Sequence, residues 1–76
     1  MKIKVKIGDN QNRNYSKIVY AVVNDDLWNK YKNLDLEDDD YWTIKRRVYW
    51  DRLCDAVEHQ NILPLYWYVE KDFEEA

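Results

Sequence analysis

Hydrophobic spacing divides the chain into strands and helices. Over residues 1–7, Ile3, Val5 and Ile7 alternate strictly with Lys2, Lys4 and Lys6. A period of two is that of a strand with one buried face. Lysines along such a strand also guard it against pairing with other chains. Residues 15–23 (YSKIVYAVV) are β-branched and aromatic, with Ile18, Tyr20 and Val22 on one face and Lys17, Val19, Ala21 and Val23 on the other. Apolar residues on both faces predict a central or partly covered strand. The polar stretch 8–14 between the two reads as a hairpin loop longer than the tightest turns. Residues 63–69 (LPLYWYV) read as a third strand. In it Leu65, Trp67 and Val69 alternate with Tyr66 and Tyr68, and Pro64 stands at the start, where a missing donor is harmless.

The helical stretches lie between. Asn24 and Asp25 offer capping side chains, and Leu27, Trp28, Tyr31 and Leu34 follow at helical spacing. Lys30 and Lys32 sit late in this helix, which suits its C-terminus. The longest pattern runs over 37–60. At 100° per residue Trp42, Tyr49, Leu53, Ala56 and Val57 form one stripe, with Trp50 at its edge. Such a stripe is wide enough to face a core. Asp38, Asp39 or Asp40 can cap its start, and Gln60-Asn61 followed by Pro64 stops it.

The predicted fold is therefore α+β, a single β-β-α-α-β domain spanning 1–76. Its three-stranded sheet uses about 2–7, 15–23 and 63–69, with helices of about 25–34 and 39–60 packed on one face. The tail 70–76 is charged and reads as frayed, with Phe73 the one residue able to pin it.

The side of the long helix away from its aromatic stripe is distinctive. Glu37, Asp40, Ile44, Val48, Asp51, Asp55 and Glu58 fall on one face. Helix neighbours at steps of three and four sit ~5–6 Å apart, and like charges at that spacing repel. The face is either simply solvated or a row of carboxylates presented to a basic partner. In the second case Tyr41, Ile44 and Val48 form an apolar patch beside it, and such patches rimmed by charge mark contact sites. The acids Asp35, Glu37, Asp38, Asp39 and Asp40 likewise read as helix capping plus solvated loop, or as a negative knob. Lys45, Arg46 and Arg47 follow one turn on and can pair with them. Arg46 points into the aromatic stripe, to stack on Trp42, Tyr49 or Trp50 or to bridge to a carboxylate.

Composition narrows the function. A chain of 76 residues holds one small core. Four Trp, seven Tyr and one Phe can build it without disulfides and leave aromatics over for an interface. The net charge of −3 disfavours a general nucleic-acid coat. The single Cys54 allows no internal disulfide and fits a reducing compartment. No apolar run approaches the length of a membrane span, and no signal-peptide pattern opens the chain. A soluble, cytoplasmic protein is expected, with no membrane partner. Cys54 and the single His59 stand five apart on different helix faces, which suits neither a Cys–His nucleophile pair nor a closed zinc site. One glycine excludes a glycine-rich phosphate loop, and residues 35–40 lack the spacing and glycine of an EF-hand. No catalysis, cofactor or metal is expected.

Two functions remain open. In one, a nucleic-acid-binding module stacks bases on Tyr66 and Tyr68 and holds phosphates with Lys2, Lys4 and Lys6. In the other, an inhibitor protein occupies the basic, nucleic-acid-binding surface of a host protein. It would do so with Glu37, Asp38, Asp39, Asp40, Asp51, Asp55 and Glu58, helped by Tyr41, Ile44 and Val48. A homodimer through Ile44 and Val48 is also left open.

The runs NQNRN and DLEDDD, the aromatic pairs YW and VYW, and the richness in Lys, Asn, Asp, Tyr and Ile carry a resemblance. In these features and in length the chain resembles small phage-encoded host-takeover proteins. That group includes DNA-mimicking inhibitors of host replication or defence proteins, such as sliding-clamp inhibitors and anti-CRISPR proteins. The resemblance implies a phage protein that acts in the host cytoplasm by occupying a DNA-binding partner. It assigns no role to individual residues.

Overall fold

In a computed structural model the chain folds as a mixed α+β domain. It describes residues 1–34 and 39–76, with the side chains of 39–43 excepted. The order is β1 (Lys2–Asp9), β2 (Asn12–Val22), α1 (Asp25–Lys32), α2 (Asp39–Gln60), β3 (Trp67–Val69) and β4 (Glu74–Glu75). All strands pair antiparallel, and β1 is the hub: β2 lies along one side of it, β3 and β4 along the other.

The alternation in β1 sends Ile3, Val5 and Ile7 into the core, where Ile3 and Ile7 are fully buried. Val19, Ala21 and Val23 of β2 join them on the same face, and α2 packs across it with Leu53 and Val57 fully buried. Burial of each such side chain contributes ~1.5–3 kcal/mol. Asn24 caps α1 by accepting from the N–H groups of Asp26 at 2.8 Å and Leu27 at 3.3 Å. Trp28 and Tyr31 of α1 are buried, Trp28 beside Tyr31 and Tyr31 against Trp50 and Phe73.

The sheet departs from the sequence reading in four places. β2 is an edge strand rather than a central one, and it is covered on one face only: Val19, Ala21 and Val23 are buried, whereas Ile18, Tyr20 and Val22 on its outer face are 53%, 48% and 64% exposed. Two helices suffice to cover one face of the sheet, and the later strands take the other side of β1. The hairpin loop is short, since Asp9 already pairs with Asn12. The Asp9 carboxylate closes the turn by accepting from the Gln11 N–H at 3.0 Å. The third strand is only Trp67–Val69, because the Pro64 carbonyl accepts from the Trp67 N–H and turns the chain before pairing begins. Leu65 and Tyr66 stand exposed ahead of it.

The fourth departure is the tail, which is a fourth strand rather than frayed. Ile3 pairs with Glu75 and Lys4 with Glu74. Phe73 pins it, buried edge-on against Trp50 with ring centroids 4.7 Å apart. Gly8 serves the outer face, where the ring of Tyr68 crosses it: a Cβ at Gly8 would meet Tyr68 Cζ at 2.6 Å.

The free side of β2 is partly closed by the end of α2. Gln60 offers its amide as a surrogate strand partner, accepting from the Val22 N–H and donating to the Val22 carbonyl, both at 2.8 Å. Asn61 donates to the Tyr20 carbonyl at 2.8 Å and to the Val57 carbonyl at 3.0 Å, so one side chain caps the helix and covers the strand.

Candidate functional site

The face of α2 turned away from the core carries Ile44, Val48, Asp51, Asp55 and Glu58. At 100° per residue these five lie within roughly 80° of the helix circumference. Ile44 is 67% exposed and Val48 46%, and the three acids are exposed as well. The helix holds them out because its opposite stripe, through Tyr49, Leu53, Ala56 and Val57, is committed to the core. A rise of ~1.5 Å per residue sets Asp51, Asp55 and Glu58 ~6 and ~4.5 Å apart along the axis. The aliphatic pair lies toward the N-terminal end of the stripe and the carboxylates toward the C-terminal end. Arg47, also exposed, borders the row near Asp51.

What distinguishes these acids is that no partner meets them among the described residues. Asp25 pairs with the terminal amine, Asp26 with Lys30, Glu70 with Lys6, Asp72 with Arg46, Glu74 with Lys4 and Glu75 with Lys32. Asp9 is held in its turn. Asp51, Asp55 and Glu58 form no ion pair and no side-chain hydrogen bond among the described residues. Their negative field is felt nearby. The Cys54 thiol is pushed up to about 11, first by burial and then by Asp51, Asp55 and Glu58, all of which disfavour a thiolate.

Of the other residues predicted for this site, Asp39, Asp40 and Tyr41 lie in α2, but their side chains are outside the described residues. Glu37 and Asp38 are outside them altogether, as is most of the proposed acidic knob.

A second charged cluster ties α1, α2 and the tail together. Tyr31 donates its hydroxyl to Asp72 Oδ1, and Arg46 Nη2 donates to Asp72 Oδ2 at 2.9 Å and to the Tyr31 hydroxyl at 2.6 Å. The guanidinium also lies 4.8 Å from the Tyr31 ring centroid and 5.7 Å from that of Trp50. Sequence reasoning anticipated the Trp50 stacking and a carboxylate bridge, but not Tyr31 or Asp72 as the partners. Burial, then the bond to Asp72, raises the Tyr31 phenol well above its ordinary value. Burial alone would raise Asp72; the hydrogen bonds from Tyr31, Arg46 and the Phe73 N–H outweigh it and hold the carboxyl below the usual range. The cleft here, about 210 Å³, is lined by Trp28, Tyr31, Lys32, Leu34, Arg46, Asp72 and Phe73. The polar groups of this cluster already satisfy one another, which is what a structural clamp requires.

The outer sheet face brings Lys2, Lys4 and Lys6 beside Ile18, Tyr20 and Val22 through the β1–β2 register. Lys4 and Lys6 lie 3.7 Å from Glu74 and Glu70, and Lys2 lies 5.0 Å from the Tyr20 ring centroid. Tyr68 shares this face, whereas Tyr66 precedes β3.

No family model matches this chain. No curated protein and no solved structure matches it either. Among the described residues, no helix is long and apolar enough to cross a membrane, and no three metal-ligating side chains come together.

Proposed function

We propose that this protein is a non-enzymatic binding protein, and that it inhibits a host nucleic-acid-handling protein by occupying its basic surface. One observation carries the reading: the other described carboxylates are held by partners, whereas the row Asp51, Asp55 and Glu58 is exposed and has no ion pair among the described residues. A row at ~4.5–6 Å steps is of the same order as the ~3.4 Å axial rise of phosphates along one DNA strand. A channel built for phosphates would attract it at long range. Ile44 and Val48, exposed on the same stripe, add the short-range contact that charge alone lacks. The resemblance to small phage proteins points the same way, toward a DNA-mimicking inhibitor at work in a host cytoplasm. Against direct nucleic-acid binding stand Glu70 and Glu74, which already neutralise two of the three strand lysines.

The test is capture from nuclease-treated bacterial lysate on the tagged protein, with captured proteins identified by mass spectrometry. A DNA-binding protein displaced by duplex DNA or by high salt is expected. The triple variant Asp51→Lys/Asp55→Lys/Glu58→Lys should lose it while keeping its circular dichroism spectrum. If the folded variant still captures the same partner, the carboxylate row is only a solvated surface and the reading fails.

A further inference from the structure

Hydrogen bonding along β2 alternates between its two sides. Val23 bonds to Met1 across the β1 side, whereas the Val22 groups and the Tyr20 carbonyl point the other way and meet Gln60 and Asn61. By the same alternation the N–H and C=O groups of Ser16 and Ile18 point outward. No backbone or side-chain group among the described residues meets them. The edge is thus sealed at its C-terminal end by two amide side chains and left open over residues 16–18.

The side chains around this opening differ on the two faces of the sheet. On the outer face stands Ile18, 53% exposed. On the inner face Lys17 is exposed; Arg13 is exposed four residues back along β2, across a shift in the β1–β2 register, and neither is ion-paired among the described residues. A strand added here would set its own side chains alternately beside Ile18 and beside Lys17, with Arg13 a second cation further along the same edge. Apolar residues suit the first positions and carboxylates the second.

We infer that the open edge of β2 is a docking site for an extended segment of a partner protein in which acidic and apolar residues alternate. Backbone bonds to Ser16 and Ile18 hold the segment. Lys17 and Arg13 select its acids, and the amides of Gln60 and Asn61 mark where it must stop. This surface lies on β2 and includes none of the carboxylates of the α2 row.

The experiment uses the isotopically labelled full chain and two capped eight-residue probe peptides, one alternating Glu with Val and one alternating Lys with Val. Amide shifts and hydrogen exchange are followed by NMR. The Glu–Val peptide should bind saturably, shift residues 13–20 and slow exchange at Ser16 and Ile18. The double variant Arg13→Glu/Lys17→Glu should weaken it about tenfold and should accept the Lys–Val peptide instead. The triple variant in the α2 row should leave Glu–Val binding unchanged, which separates this inference from the function proposed above. Equal binding of both peptides overturns it, as does binding that spares Ser16 and Ile18, or no binding at millimolar peptide. Protection of the same amides by concentration-dependent dimerisation, without peptide, would instead assign the edge to a second copy and equally overturn it.

Discussion

The C-terminal segment and the second half of α2 are both acidic, but they use their carboxylates in opposite ways. Glu70, Asp72, Glu74 and Glu75 each meet a cation, and Glu75 also accepts from the Trp28 indole N–H at 2.8 Å. These acids fasten a strand to the body. Asp51, Asp55 and Glu58 meet no partner among the described residues and stand at spacings where they repel one another. Local sequence hardly separates the two sets. What separates them is the surroundings: the tail crosses over lysines and an arginine, while the row on α2 looks outward.

The sharpest way to break the fastened side is Phe73→Ala. It removes a buried ring that packs on Trp50 and Tyr31, and should cost ~3–5 kcal/mol in urea unfolding, a large part of the stability of so small a domain. Arg46→Met comes next. It keeps the apolar stem but strands Asp72 and the Tyr31 hydroxyl, for a loss of ~1–3 kcal/mol, toward the lower end because the Asp72 side chain is 53% exposed. A loss under 0.3 kcal/mol would show that the clamp is ornamental.

The same clamp sets two pH limits. Asp72 and Glu75 are held below their ordinary range, Glu75 chiefly by the Trp28 hydrogen bond and then by Lys32. Their contribution is complete above the unfolded carboxylate value, ~4, and is lost as pH falls through the depressed native values. Tyr31 is raised, so its contribution is complete below ~10 and is lost as pH climbs beyond that. Urea midpoints measured from pH 2 to 6 should fall more gently in Asp72→Asn than in the native protein.

The open side responds weakly and with the opposite sign. Asp55→Asn relieves repulsion from Asp51 and Glu58 and should stabilise the protein by a few tenths of a kcal/mol, read as a rise of ~1–3 °C in melting temperature. Destabilisation would mean that Asp55 has an internal role. The smallest effect is on Cys54. Replacing Asp51, Asp55 and Glu58 by their amides should lower the thiol pKa from about 11 but leave it above the ordinary value, because burial is the larger cause. The pH dependence of alkylation reads this directly.

Periodicity made much of the fold legible. The alternation of β1 and the extent of α2 follow from residue spacing, and the buried face of α2 through Leu53 and Val57 matches its apolar stripe. The exposed stripe through Ile44, Val48, Asp51, Asp55 and Glu58 was equally readable, because a helix surface depends on spacing alone. Long-range pairing was not. Apolar residues on both faces of β2 look the same whether a neighbour covers them or water does. Glu74 and Glu75 carry no strand propensity and become a strand only because Phe73 anchors beside the free side of β1. Nor does any local signal announce that a tyrosine in α1, an arginine in α2 and an aspartate in the tail will converge.

The central place of β1 also bears on how the chain is made. This strand precedes the other elements of the sheet and both helices in the sequence, yet one whole side of it is completed by residues 67–75, which follow them. The β1–β2 hairpin and both helices can form during synthesis. Until the last strands arrive, Ile3, Val5 and Ile7 sit on a strand with an unpaired side, open to any neighbouring nascent chain. Closing pairs as distant as Ile3 with Glu75 is the slow kind of contact, so docking of Phe73 is the step that turns a sticky hairpin into a finished sheet.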